Sequence, residues 1–195
     1  MLSTMGGVNV LNTGCAKIKK DCIGKRNILR IGKNSMIHGL GIYMRGNDIS
    51  VEIGENVIIG KHCSIRCEGN NIKIVVGNYT TMTRDVHICA QEDNSFILIG
   101  EDCMFSNTIT IRTSDSHPIY DYDGTRLNPP GNIKIGKHVW IAPGTTVLKG
   151  VEVGDSSIIA SKSLVTKDVP ESSLAGGVPA KILKSGIYWT RENLY

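Results

Sequence analysis

Of the chain's five histidines, His117 stands in the setting best suited to chemistry. It sits in Thr113-Ser-Asp-Ser-His117-Pro-Ile-Tyr-Asp121, and Pro118 fixes the backbone just after it. An imidazole titrates near ~6.5, so it can take or give a proton close to neutral pH. Asp115, two residues earlier, could orient the ring, and a backbone carbonyl could do so equally well. No Ser or Cys beside His117 forms a recognisable nucleophile motif, so the chemistry fits proton transfer better than an acyl-enzyme. His38, His62, His87 and His138 fall where the side chain need not face a core, and all four are expected at the surface. The six cysteines, at 15, 22, 63, 67, 89 and 103, show no paired metal-ligand spacing. Cys63-x3-Cys67 stands alone, and a zinc site takes about four ligands. Buried reduced thiols, a cytoplasmic protein and no metal are the expectation.

Those residues need a scaffold, and its nature shows in the composition and spacing. The 195 residues suit one domain, with 26 Ile and 14 Val against 11 Leu, which favours strands over helices. No apolar stretch approaches the ~18 residues that span a bilayer, and no secretory leader is expected at the N-terminus. The net charge of +4 has no interleaved aromatics, so neither nucleic acid nor stable membrane insertion is expected. From Ile135 an apolar residue recurs every sixth position, at Ile141, Val147, Val153, Ile159 and Val165. Four places after each comes Val139, Thr145, Val151, Ser157, Ser163 and Val169, all small or β-branched. The same register appears at Ile53, Ile59 and Ile65, at Val76, Met82 and Ile88, and at Ile99, Phe105 and Ile111. A period of six fits neither a helix nor a half-buried strand, but does fit short strands and turns stacked into a solenoid.

Gly54, Gly77, Gly100, Gly136 and Gly154 mark successive coils at spacings of 23, 23, 36 and 18. Three hexads make an 18-residue coil, and each 23 reads as a coil with five residues looped out. Between Ile111 and Ile133 the repeat stops, and a loop of about 114–132, rich in Pro, Gly and Asp, leaves the solenoid. Cys63 and Cys103 take small inward positions of their hexads, as core fillers would.

This pattern, over roughly Ile31 to Leu183, resembles the left-handed parallel β-helix of hexapeptide-repeat acyltransferases. The resemblance implies an all-β solenoid with one protruding loop. The chain divides into an N-terminal cap segment (1–30), a β-helix domain (31–178) and a short C-terminal helix with a tail (179–195). The order of Asp115-Ser-His117-Pro, Gly136-Lys-His-Val-Trp140-Ile, Ser163-Leu-Val-Thr-Lys167 and Gly176-Gly-Val-Pro-Ala-Lys181 is similar to acetyl-CoA-dependent sugar O-acetyltransferases. The run from Ile111 through His117 looks most like polysialic acid and capsular polysaccharide O-acetyltransferases. By that resemblance His117 is the general base, and Trp140 lines the acceptor and thioester site. Ala142, Ala160, Ser161, Thr166 and Lys167 line the coenzyme A channel, with Lys181 near its phosphates. Arg84, Asn107 and Arg112 contact the saccharide. The resemblance also implies a homotrimer with sites between subunits, and direct acetyl transfer without a metal.

Three departures qualify the transfer of roles. Trp140-Ile-Ala142-Pro143 stands where several relatives have Trp-Ile-Gly, and Pro143 has no N–H to offer an oxyanion. Arg84 stands where maltose and galactoside acetyltransferases carry an acceptor Asn, and the loop holds no Glu between Pro118 and Ile133. An anionic acceptor fits these changes better than a small neutral sugar. The competing functions are N-acetylation of a nucleotide-linked amino sugar and a non-catalytic β-helix scaffold. Carbonic-anhydrase-like chemistry on the same fold needs a His five residues from another, whereas positions 112 and 122 are Arg112 and Tyr122.

Overall fold

The computed structural model of the protein describes residues 3–5, 8–12 and 16–194, with side chains from residue 17 onward. Cys15 and parts of the segment 1–30 lie outside the described residues. Parallel strands stack in two sheets that wrap a three-faced left-handed coil. Val8–Asn12, Asn27–Ile31, Ser50–Ile53, Lys73–Val76, Phe96–Ile99, Ile133–Ile135 and Glu152–Val153 make the first face, in that order. The second sheet bends around the other two faces. It runs from Ala16–Ile23 and Met36–Arg45 through Thr81–Gln91 and Met104–Arg112 to Ile158–Ile159 and Leu164–Val165. Within the expected cap, Val8–Asn12 and Ala16–Ile23 already lie parallel to strands of the next coil.

The hexad residues form vertical columns. Ile31, Ile53, Val76, Ile99, Ile135 and Val153 stand in register up the first face, each at most 4% exposed. The second inward position, Val139, Thr145, Val151, Ser157, Ser163 and Val169, is buried throughout. Each large aliphatic so enclosed contributes roughly 1.5–3 kcal/mol, and only the coils above and below enclose it.

Corners repeat as strictly as faces. Asn34, Asn56, Tyr79, Asp102, His138, Ser156 and Ser172 all adopt φ between 50 and 61° at the same corner. A left-handed non-glycine residue costs roughly 1–2 kcal/mol. Here the turn aims each N–H at the coil before, as in His138 N to Glu101 O at 2.8 Å and Asp102 N to Asn78 O at 2.7 Å. His38, His62 and His87 are exposed, but His138 is half-buried and hydrogen-bonded on both ring nitrogens, not a plain surface residue.

Two further sequence expectations are corrected. The five extra residues of each 23-residue coil are not looped out. They lengthen the third-face strand, so Met44, Cys67 and Ala90 form an additional inward column at 0% exposure. Beyond it the chain turns through Gly46 and Gly69, and Asn47, Asn70 and Asp93 side chains accept N–H groups of Lys25, Asn47 and Asn70 from the coil before. The C-terminal helix is likewise absent: Ala180–Ser185 is a strand, antiparallel to Ser173–Gly177. A six-residue helix would be marginal by itself and would leave the last coil's backbone edge unpaired, whereas a strand closes it. The described residues hold no helix, and so none long and apolar enough to cross a membrane.

Cys22, Cys63, Cys67, Cys89 and Cys103 are free thiols. Burial pushes the Cys103 thiol up to about 11 and raises Cys67 as well, so both remain protonated core fillers.

The stacked corner can be tested at Gly46, whose φ is +142° and whose added Cβ would lie 1.9 Å from the Gly69 carbonyl oxygen. Gly46→Ala is expected to destabilise the fold by more than ~3 kcal/mol. Gly124→Ala, in open space at φ +82°, should cost only about 1 kcal/mol. Thermal melts of equal midpoint for the two variants would contradict the stacked corner.

Candidate active site

His117 lies five residues beyond the strand Met104–Arg112, where the wide coils end. The root of its loop is sewn down by buried polar residues. Thr113 Oγ1 accepts the Gln91 N–H at 2.9 Å, and Ser114 Oγ donates to Glu92 at 2.6 Å. Arg112 clips the turn through Nε to Ser114 O at 2.7 Å and Nη2 to Ser116 Oγ at 2.8 Å. The outer part is a short finger, with Leu127 N bonded to Ile119 O at 2.7 Å and Asp121 capping the turn at Asp123 and Thr125.

Asn128, 7% exposed, holds this finger against its root. Its Oδ1 accepts Ile119 N–H at 2.6 Å, and its Nδ2 donates to His117 O and to Asp115 Oδ2, both at 2.9 Å. Lys149 Nζ meets the same Asp115 oxygen at 2.6 Å. Arg126 forks onto Glu92 at 2.6 and 2.8 Å. The loop is therefore held through the backbone of His117 while its side chain stays exposed. Asp115 turns its carboxylate to Lys149 and Asn128, so its link to His117 runs through the Asn128 bridge. Glu92, Arg126, Asn128 and Lys149 escaped the sequence reading. Their partners lie up to 34 residues away, and no local pattern marks such a spacing.

The other residues named from sequence gather elsewhere. Trp140 pairs with Met104, at the opposite end of the strand that leads to the loop. Ala142 and Ala160 stack near it, but their N–H groups are committed to Ile159 O at 2.9 Å and Ala175 O at 2.8 Å. Pro143 O accepts Lys162 N–H at 2.8 Å, which places Ser161 beside Pro143 in the next coil. Arg84 lies in register with Asn107 one coil below Gly144, whose N–H reaches Asn107 O at 3.0 Å, and Arg84 pairs with Asp85. The hairpin brings Lys181 opposite Gly176, where an added Cβ would touch Ala160. Thr166 and Lys167 instead follow Val165, which stacks on Val147 and Ile111, so they share the His117 corner. Trp140 thus lies at the start of the second face. Arg84, Asn107, Ala142 and Ala160 lie toward the corner between the second and third faces, and His117, Thr166 and Lys167 lie beyond the third, so one chain does not unite His117 with Trp140.

A groove of about 1200 Å³ runs down the third face from the loop root at Arg112 and Ser116. His87, Arg66, Tyr43 and Lys61 line it. Arg66 stands 4.9 Å over the Tyr43 ring and is paired with Glu68, and Ser64 Oγ bonds His87 Nδ1 at 2.8 Å. Cations outnumber anions along it, which suits a negatively charged ligand. Among the described residues no three His, Cys, Asp or Glu side chains gather as metal ligands.

Arg126 holds the Glu92 carboxyl below its ordinary range, and Lys149, then Asn128, do the same for Asp115. Depressed folded-state values mean this anchoring is complete above the ordinary carboxylate value of about 4 and drains away as pH falls below it. Pepsin is therefore expected to cut first within 115–130 at pH ~2 but not at pH ~4, and equal resistance at both would refute the anchoring. At neutral pH, Asn128→Ala should raise chymotrypsin cleavage at exposed Tyr120 and Tyr122 about tenfold, the loss of roughly 1.4 kcal/mol of hydrogen bonding. An unchanged rate would show that Asn128 does not hold the finger.

Residues 132–167 match the bacterial transferase hexapeptide (six repeats) family. The polysialic acid O-acetyltransferase of Neisseria meningitidis is 32% identical over 199 residues, spanning 98% of this chain and 90% of that protein. One from Escherichia coli O1:K1 / APEC is 37% identical over 166 residues, covering 85% of this chain, which spans 45% of that longer protein. The crystal structure of the polysialic acid O-acetyltransferase OatWY matches with a TM-score of 0.85 at 30% identity, over 96% of this chain and 89% of that one. A relative 32% identical and matched over nearly its whole length shows the family: the chain belongs to the hexapeptide-repeat acetyltransferases, and within them it is similar to the polysialic acid O-acetyltransferases.

Proposed function

We propose that the protein transfers acetyl from acetyl-CoA to a hydroxyl of an anionic saccharide, with His117 as general base, in a site completed between subunits of a homotrimer. The observation that carries this reading is the groove that starts at the His117 loop and is lined by Arg66, Lys61 and Arg112. The separation of His117 from Trp140 by the width of two faces supports the shared site, since a cyclic assembly brings one side of each subunit against a different side of its neighbour. His117 then takes the proton of the acceptor hydroxyl as its oxygen attacks the thioester carbonyl. The tetrahedral oxyanion collapses, the carbon–sulfur bond breaks, and the leaving thiolate takes the proton back from the imidazolium. Ala142 and Ala160 cannot lend their N–H groups to that oxyanion, because the ladder already uses them. Thr166, Lys167 and Lys181 supply polar and cationic surface for the coenzyme. Free thiols and an acetyl-CoA donor accord with a cytoplasmic setting.

Thiol release from acetyl-CoA, measured with sialylated and neutral glycans, tests this directly. His117→Ala is expected to lower turnover about 10²–10⁴-fold while coenzyme binding survives. Full activity in that variant would remove His117 from the mechanism. Response to an amino-sugar nucleotide alone would replace O- by N-acetylation, and no coenzyme binding at all would leave a scaffold. Lys61→Ala with Arg66→Ala should raise the acceptor KM by about tenfold for an anionic glycan with kcat little changed. An unaltered KM would take the acceptor out of the groove.

A further inference from the structure

The C-terminal segment holds one buried residue in an exposed tail: Trp189 is 7% exposed, while Tyr188 is 86% and Leu194 102%. Its ring stacks on the His138 imidazole at 3.9 Å between centroids and 9° between planes. Trp189 Nε1 donates to His138 O at 2.8 Å, and His138 Nε2 meets Trp189 O at 3.0 Å. His138 Nδ1 lies 2.6 Å from Asp102, which also receives Arg191 Nε at 2.6 Å. Arg191 Nη2 reaches three carbonyls, Tyr79 at 3.3 Å, Asp102 at 3.0 Å and Cys103 at 2.9 Å. Ile187 N begins the run on Ser172 O at 3.0 Å.

Ser172, His138, Asp102 and Tyr79 belong to one corner column. The segment therefore runs back down the solenoid across successive coils. Ser172 to Tyr79 is four coil steps, about 19 Å at the usual strand spacing. Four extended residues cover about 14 Å of it, and the long Arg191 side chain covers the rest. Burial would raise the Asp102 carboxyl, but its bonds from His138 and Arg191 more than reverse that, so it stays ionised as the anchor.

Trp140 lies against this segment, its ring 6.0 Å from Trp189 and tilted by 48°. Its Nε1 is buried and finds no hydrogen-bond partner among the described residues. The indole's orientation is thus fixed by packing alone, and Trp189 supplies a wall of that packing. We propose that Ile187–Glu192 is a strap that positions Trp140, with Trp189 as the wedge and Arg191 as the fastening. The inference rests on the reading of Trp140 as a residue of the acyl-transfer site. Trp189, His138, Asp102 and Arg191 act through it as positioning residues.

Trp140 and Trp189 are the protein's two tryptophans, which gives a readout independent of activity. In Trp189→Phe the stacking ring remains and Trp140 is the sole tryptophan, excited selectively beyond the tyrosine absorption band. That variant is the reference background in which the fastening is tested. Adding Arg191→Ala should raise acrylamide quenching of Trp140 about threefold and lower kcat about tenfold or more, with acetyl-CoA affinity held. Should the double variant lose cooperative melting, Arg191→Lys replaces it, keeping the charge beside Asp102 but not the fork onto the carbonyls. Unchanged quenching overturns the strap, and so does raised quenching with unchanged kcat. A wild type inactive with every acceptor overturns the transferase reading instead, and quenching alone then decides whether the strap holds Trp140.

Discussion

Everything in this molecule hangs on the hydrogen-bond ladder between successive coils. Within the coils each strand pairs in parallel with the strand one coil away, so a residue's neighbour is chosen by register and not by nearness in sequence. The consequence is columns: Ile31 through Val153 inside, Asn34 through Ser172 at one corner, and Arg84 over Asn107 outside. An inward aliphatic gains its burial only when the coils on both sides are in place. Stability and positional accuracy therefore have one source. The backbone beneath an outward residue is held as firmly as the ladder itself, and only the side chain's own orientation needs further partners.

The loop that carries His117 grows where this regularity changes. Wide coils with the additional column of Met44, Cys67 and Ala90 give way, after Arg112, to 18-residue coils that lack it. The step would leave the end of that column and the Gln91 backbone open. Thr113 takes the Gln91 N–H and is itself wholly buried, Ser114 and Arg126 meet Glu92, and Gly131 N closes the loop base on Thr113 O. The loop is thus a plug on a ledge as well as the segment that presents His117. That explains why its root is rich in buried polar contacts while His117 projects into solvent.

How much of this was legible in the sequence follows from the same division. Inward positions recur every six residues because burial repeats every six, so Ile135 through Val165 could be placed before any coordinates. The loop was legible because the repeat stops and turn formers take over. The additional column was not, since Met44, Cys67 and Ala90 extend a strand at a local period of two, which reads as a break in the hexads. Nor was the terminal hairpin, where Ala180–Ser185 is short and its partner is an edge that exists only in the fold. Asn128, Lys149 and the His138–Trp189 stack join residues 11 to 51 positions apart. Only the stacking order of the coils determines those meetings.

The distribution of rigidity has a mechanistic corollary. Acyl transfer needs a base, a carbonyl and a hydroxyl held within a few tenths of an ångström, and the two groups of candidate residues reach that accuracy by different means. The His117 side is fixed by directional bonds: Asn128 grips the backbone on both sides of Pro118, and carboxylates grip the finger. The Trp140 side is fixed by contact, since the indole's Nε1 is unbonded and neighbouring rings set its angle. Directional bonds fail abruptly when a partner is removed, whereas packing yields gradually as a wall recedes. His117, as the proposed base aiming at one proton, suits the first regime. Trp140, as the proposed wall for an arriving thioester and sugar, suits the second, because it can adjust by a small tilt and still be pressed back into place.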